Sequence, residues 1–343
     1  MMKKLNYIII SFLIIASYSC IKLNPDEIIT NVTVNGNGLV LIGNEGNFQN
    51  GNASISSYNE NSKQVLNNIY QSINQEPIGD VLHSIYHSDH LLYLVVNNSG
   101  KIIAIDDKNL EKKMEIKNLT SPRKIAKVDN SKFYITDLYA NEISIYNNYD
   151  QTISKIAVNG WCEDIIIKNG KAYVCNVVNN QVYVINSVTD IIIDSIETGK
   201  KPSSMKEDSR GNLWVLCQGD NSNNELSSIS IIETENDAVF KSFNLENNQS
   251  FASSIDIDNQ TNQIYFINKH IYRIRNLDDT LATKIWSNNS NNFYNLKINP
   301  YNNDLYITDA KDYVQNGILY VIDSTGNLKE EIATGIIPKS IVF

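Results

Sequence analysis

The side chains best suited to chemistry are few and irregularly spaced. Four histidines, His83, His87, His90 and His270, show neither the spacing of a metal site nor a serine partner, and three of them crowd into one short stretch. Asp80, Glu163 and Asp309, with His83, are of the types that supply acid and base roles. Beyond Cys20 the cysteines are Cys162, Cys175 and Cys217, an odd number without the close pairing of a zinc site. The stretch Gly219 to Glu225 has oxygen atoms enough for calcium but not the spacing of a calcium-binding loop. No catalytic set, metal or cofactor is expected from this pattern. The formal charge of −9 and pI near 5.0 exclude a nucleic-acid partner, because phosphate binding needs a basic face and no Lys/Arg cluster follows residue 20.

The elements that position these residues are strands. Short runs rich in Ile, Val and Tyr recur between Asn, Asp and Gly turns, with no sustained helical period after the first twenty residues. One phrase returns along the chain: an apolar residue, an aromatic, two or three more apolar residues, then Asn, Asp or Cys. Its aromatic position, with Val40 standing in, falls at 40, 93, 134, 173, 214, 265 and 306, in steps of 53, 41, 39, 41, 51 and 41. Steps near forty with four strands each are the period of a propeller. The chain is therefore expected to be all-β, a single seven-bladed β-propeller of four-stranded blades.

The fourth repeat divides most cleanly: Glu163 to Lys168, Lys171 to Asn176, Gln181 to Asn186 and Ile191 to Glu197, with Asn169-Gly170 as a tight hairpin turn. Counting back across that turn sets Asp164 opposite Cys175 and Cys162 diagonal to it. Two readings stay open for the pair, small buried residues or a cross-hairpin disulfide in an exported protein. The first repeat lacks an inner strand of the kind seen in Pro202-Ser203-Ser204-Met205-Lys206 or Pro122-Arg123-Lys124-Ile125-Ala126. The chain ends with such an element, Pro338 to Phe343, which would close the ring and leave no unpaired edge.

The N-terminus has Lys3 and Lys4, an apolar run from Leu5 to Ala16, and Ser17-Tyr18-Ser19 before Cys20, the pattern of a secretory signal. This resembles the lipobox of bacterial lipoproteins, with Cys20 as the lipidated first residue. The expected organisation is a signal over 1–19, a tether over 20–35 and the propeller over 36–343.

In a propeller blade the inner strand starts on one face, and the loop between its second and third strands returns to that face. One mouth of the channel should therefore collect Asp80, His83, Arg123, Trp161, Glu163, Lys201, Phe251, Phe293, Tyr294 and Lys339 from inner-strand starts. Asn44, Glu45, Asn47, Phe48, Asn97, Asn98, Asp137, Tyr139, Asn176, Gln218, Asp220, Lys269, Asp309 and Tyr313 join them from loops. The ligand-binding shortlist is Asn44, Phe48, Asp80, Asn97, Arg123, Asp137, Tyr139, Trp161, Glu163, Asn176, Asp309 and Tyr313. Aromatics mixed with amides and both signs of charge suit a site that buries flat apolar surface and satisfies polar edges. The plainer alternative is architecture, with aromatics packing blade on blade and Asn or Asp capping turns.

The runs Gly43 to Ile55, Gly79 to Ile85 and Val95 to Ile102 resemble the YncE-like surface propellers of Bacteroidetes, over essentially the whole chain after the signal. That group includes the BtuG-type lipoproteins, which capture cobalamin and pass it to a TonB-dependent outer-membrane transporter. The resemblance implies a lipid-anchored surface protein that binds a small nutrient, such as a cobamide, without catalysis. The alternatives are a lactonase-like or lyase-like propeller enzyme, or a structural or adhesive surface module.

Overall fold

The recurring phrase forms the second strand of every blade, and its composition follows from burial on both faces. In the fourth blade Ala172 and Val174 belong to the apolar layer shared with the third blade, whereas Tyr173 and Cys175 belong to the layer shared with the fifth. Alternate residues thus serve alternate neighbours, as the two-residue period of a strand requires. Seven such layers, one between each adjacent pair of blades, make up the core.

The structure is a computed structural model that describes residues 38–246, 251–288 and 292–343. The expected signal, tether and Cys20 lie outside the described residues. Seven four-stranded antiparallel sheets form a ring, each running from an inner to an outer strand. Six blades are built from consecutive strands. In the first, Leu39–Asn44 is flanked by Ser54–Asn59 on one side and by the C-terminal strand Pro338–Val342 on the other. The closure expected from the sequence is thus present. It is close-fitting, since a Cβ on Gly317 would lie 2.2 Å from Pro338 Cδ.

The two long steps in the repeat have separate causes. Between the first two blades the helix Ile69–Asn74 buries Ile69 and Tyr70 beside a two-residue outer strand, Val65–Leu66. In the fifth blade the loop after Leu213–Cys217 contains a short 3₁₀ turn, Asn221–Asn223. The Asn169-Gly170 hairpin forms as expected, both residues having positive φ, 49° and 75°.

Second-strand aromatics also pin neighbouring blades through their polar ends. The Tyr134 hydroxyl donates to Asp190 of the fourth blade, that of Tyr173 to Asp237 of the fifth at 2.6 Å, and that of Tyr306 to Glu60 of the first. Cys162, Cys175 and Cys217 are buried free thiols. A register shift sets Cys162 opposite Asn176, so the cross-hairpin disulfide left open by the sequence is not formed. Among the described residues no helix is long and apolar enough to cross a membrane.

Candidate functional site

Every inner strand pairs with its neighbour through a register shift near its first residue, in all seven blades. A regular strand would send successive side chains to opposite faces. The extra residue of a bulge re-aims them, so two consecutive side chains can turn the same way. Six blades accordingly contribute both the second and the third residue of the inner strand to one cavity in the channel, of about 250 Å³. The second residues form its upper ring: Lys339, His83, Arg123, Glu163, Ser203, Ser253 and Tyr294, in blade order.

Half of that ring is a bonded network. Arg123 grips Glu163 through Nε at 2.6 Å and Nη2 at 3.0 Å, and Trp161 Nε1 donates to the same carboxylate at 2.6 Å. His83 lies between two carboxylates, its Nε2 3.1 Å from Glu163 and its Nδ1 3.3 Å from Glu45. Glu45 comes from the second-to-third-strand loop of the first blade and also accepts from the Tyr294 hydroxyl at 3.0 Å. Lys339 Nζ rests over the Tyr294 ring at 4.1 Å, and the Arg123 guanidinium lies 5.5 Å from the Trp161 ring centre.

Burial pushes the Glu163 carboxyl upward, but Arg123 and His83 outweigh it and hold Glu163 well below the usual carboxylate range. Glu45 is lowered in the same way, burial being outweighed by His83 and Lys339. Burial, with Arg123 nearby, lowers the His83 pKa against the pull of both carboxylates. Each ring nitrogen of His83 thus faces a carboxylate, Nε2 that of Glu163 and Nδ1 that of Glu45. Neither nitrogen is open to a substrate, so His83 is not placed as a general base.

Beside this ring lies a second, larger cleft of about 530 Å³ spanning the fourth and fifth blades and the start of the sixth. Its wall includes Trp161, Val178, Asn180, Lys201, Gln218 and Phe251. Trp161 and Gln218 also line the channel cavity, so the two spaces adjoin. Lys201 Nζ stands 5.9 Å from the Phe251 ring centre and 3.3 Å from Asp220. A family model matches residues 37–337, the ring short of its closing strand. The chain belongs to the DUF5074 family, a domain of unknown function.

No curated protein matches this DUF5074 chain. Solved propellers resemble it at low identity. A quinoprotein alcohol dehydrogenase-like protein from Bacteroides thetaiotaomicron superposes with TM-score 0.70 at 16% identity, covering 90% of this chain and 78% of that one. A protein from Lactobacillus plantarum gives 0.67 at 14%, covering 89% and 98%. A chain of Kuenenia stuttgartiensis hydrazine synthase gives 0.64 at 15%, covering 75% and 88%. These likenesses establish the seven-bladed fold and carry no activity across.

Of the residues expected at the mouth, Arg123, Trp161 and Glu163 are brought together in the network. Asn44, Asn97, Asp137, Asn176 and Asp309 are buried at the ends of second strands and serve the backbone around them. Asn97 Nδ2 donates to Pro122 O at 2.9 Å, Asn176 Nδ2 to Asn159 O at 2.7 Å, and Asn44 Nδ2 to Ser56 Oγ at 2.9 Å. Asp137 accepts from the backbone of Ser121, Tyr139 and Ala140, and Asp309 from that of Lys311. Asp80 ties two loops, accepting from Gln49 N at 2.8 Å and from Asn98 Nδ2. Each of these six side chains is thus bonded to a strand or loop beside it.

Phe48 and Tyr139 stand out from the rim, 63% and 71% exposed, away from both cavities. Tyr313 meets Tyr294 edge-on at 6.0 Å. In the oxygen-rich loop Gly219 to Glu225, Asp220 accepts from Ser222 and Asn223. Among the described residues no group of His, Cys, Asp and Glu is placed to hold a metal. Ser203, Ser253, Lys124 and Asp164 line the channel cavity but were not singled out from the sequence. Aligning the inner strands on Pro122, Pro202 and Pro338 would have put Arg123, Ser203 and Lys339 in one column.

Proposed function

We propose that the protein is a non-catalytic receptor for a ring-bearing small molecule, held at the mouth face and displayed on the outer membrane through a lipid on Cys20. The observation that carries the binding reading is the pair of adjoining cavities joined by Trp161 and Gln218. Together they fall in the range of about 300–1,000 Å³ that holds a drug-sized ligand. Trp161 and Phe251 supply flat apolar faces, and Gln218 and Asn180 supply polar edges. The closed-off nitrogens of His83 argue against turnover at the same place.

Cobamides are the first compounds to titrate, on the strength of the resemblance to BtuG-type propellers. Such a ligand exceeds the cleft and would lie across the disc with one edge in it. Hand-over to a TonB-dependent transporter belongs to this proposal. The test is titration of cobamides and smaller ring compounds, read by tryptophan emission and by the melting temperature. A true ligand quenches saturably, raises the melting temperature and is recovered unchanged. Trp161→Ala should weaken it by about 2 kcal/mol or more. Affinity unaltered by Trp161→Ala, or formation of a product, overturns the reading. The anchor is checked separately: Cys20→Ala should move the protein out of the membrane fraction, and a variant that stays there refutes the lipid.

A further inference from the structure

The channel cavity differs from an ordinary polar pocket in which of its groups are already bonded. Its acceptors are engaged. Glu163 is filled by Arg123, Trp161 and His83, while Asp164 accepts from Ile165 N at 3.0 Å and Met205 N at 2.8 Å. Asn295 accepts from Ser254 Oγ at 2.7 Å. Its donors are not. Ser203 Oγ and Ser253 Oγ are buried without a partner. Among the described residues neither Lys339 Nζ nor Lys124 Nζ has a hydrogen bond or ion pair, the Tyr294 ring being the close neighbour of Lys339.

The charges point the same way. The wall carries three basic side chains, Arg123, Lys124 and Lys339, against two carboxylates, Glu163 and Asp164, in a chain whose formal charge is −9. Further along the inner strands, Lys206 pairs with Asp256 at 3.2 Å, but Lys297 donates only to the backbone oxygen of Ile341. Burial, aided by Arg123 and Lys124, also lowers the pKa of Lys339 against the pull of Glu45 and Glu163. With Arg123 and Glu163 paired, Lys124 and Lys339 face Asp164 alone, an excess of one positive charge in a low-dielectric space, which favours an anion there.

We infer that the channel cavity is an oxyanion site, in which Lys339, Lys124, Ser203 and Ser253 receive a carboxylate or phosphate group borne by the ligand whose ring lies between Trp161 and Phe251. The inference rests on the mouth-face reading above and adds the chemical class of the ligand. The channel cavity, lined mainly by charged and hydroxyl side chains, suits such a head, whereas the flat faces of Trp161 and Phe251 line the adjoining cleft. The adjoining cleft takes the ring, and the two share a wall at Trp161 and Gln218.

The test uses 2-naphthoate, 2-naphthyl phosphate and neutral 2-naphthamide as probes at constant ionic strength and pH 7, followed by tryptophan emission and melting temperature. At least one charged probe should bind tenfold or more tightly than the amide, and the tighter of the two identifies the head. Lys339→Met should remove most of that preference. The double variant Ser203→Ala, Ser253→Ala deletes two hydroxyls that bond nothing, so the fold should survive and the preference should drop about threefold or more. Amide binding equal to or tighter than both charged probes overturns the oxyanion site while leaving the ring cleft standing. Failure of all three to quench at millimolar concentration overturns both readings.

Discussion

Lys297 projects from the seventh inner strand into a positively charged part of the channel, and replacing it by methionine should stabilise the protein at neutral pH. Burial comes first, then Lys206 and Lys124; together they lower its pKa from an ordinary 10.5 to about 8 against the pull of Asp256. The unfolded chain keeps the proton up to 10.5 and the folded chain releases it near 8, so between those values the unfolded state binds more protons and stability rises with pH. Below 8 both states are protonated, and the folded state bears the full cost of the charge. At about 1.4 kcal/mol per pH unit that cost has a ceiling of about 3 kcal/mol. Lys297→Met keeps the apolar stem but loses the 3.0 Å bond to Ile341 O and the contact with the Phe343 ring, worth about 1 kcal/mol. The net gain should be about 1–2 kcal/mol at pH 7. Denaturant unfolding of both proteins at pH 7, 8, 9 and 10 reads it as a difference in midpoint at constant slope. The gap should be widest at pH 7 and narrow steadily towards pH 10. A variant less stable than the parent at pH 7, or a gap independent of pH, would refute the reasoning.

Two further outcomes follow from the ring. Gly317→Ala places a methyl group 2.2 Å from Pro338 Cδ and 2.6 Å from Asp309 O, so the closing strand must shift; melting should report a loss of about 1–3 kcal/mol, and an unchanged midpoint would contradict the close seating of that strand. Glu163→Gln leaves Arg123 buried without its counter-charge and should destabilise the protein by about 3 kcal/mol at pH 7. Because the folded pKa of Glu163 lies well below 4.5, its stabilisation is present above 4.5 and fades as pH falls through the folded value. The variant's acid unfolding limb should therefore be shallower, and a limb that matches the parent's would remove Glu163 from the account.

What the sequence made legible was local. The second strands announce themselves because burial on both faces leaves their runs almost wholly apolar, and six of the seven carry an aromatic in the same place, five Tyr and Trp214. The closing strand was legible as a missing piece at one end and a surplus piece at the other. The bulges were not, because a bulge is a relation between two strands and shows only when their register is known. Counting through the Asn169-Gly170 turn as a regular ladder put Cys162 diagonal to Cys175, whereas the extra residue at Glu163-Asp164 sets Cys162 against Asn176. The same shift aims Glu163 and Asp164 together into the channel.

The network was hidden by distance along the chain. Glu45 reaches His83 across 38 residues and Tyr294 across 249, so no window of sequence contains the three together. The cavity was hidden for the opposite reason. Aromatic size alone does not separate Trp161, Phe251 and Tyr294, which line the cavities, from Phe48, Tyr139 and Tyr313, which stand on the rim. The space itself exists where the ring has its smallest members, Ser203 and Ser253, across from Arg123 and Lys339. In a closed ring each blade occupies one sector, so a column of equivalent residues read around the seven inner strands maps the channel wall directly. Small residues in that column locate the opening, and unbonded donors beside them state the charge of what fits there.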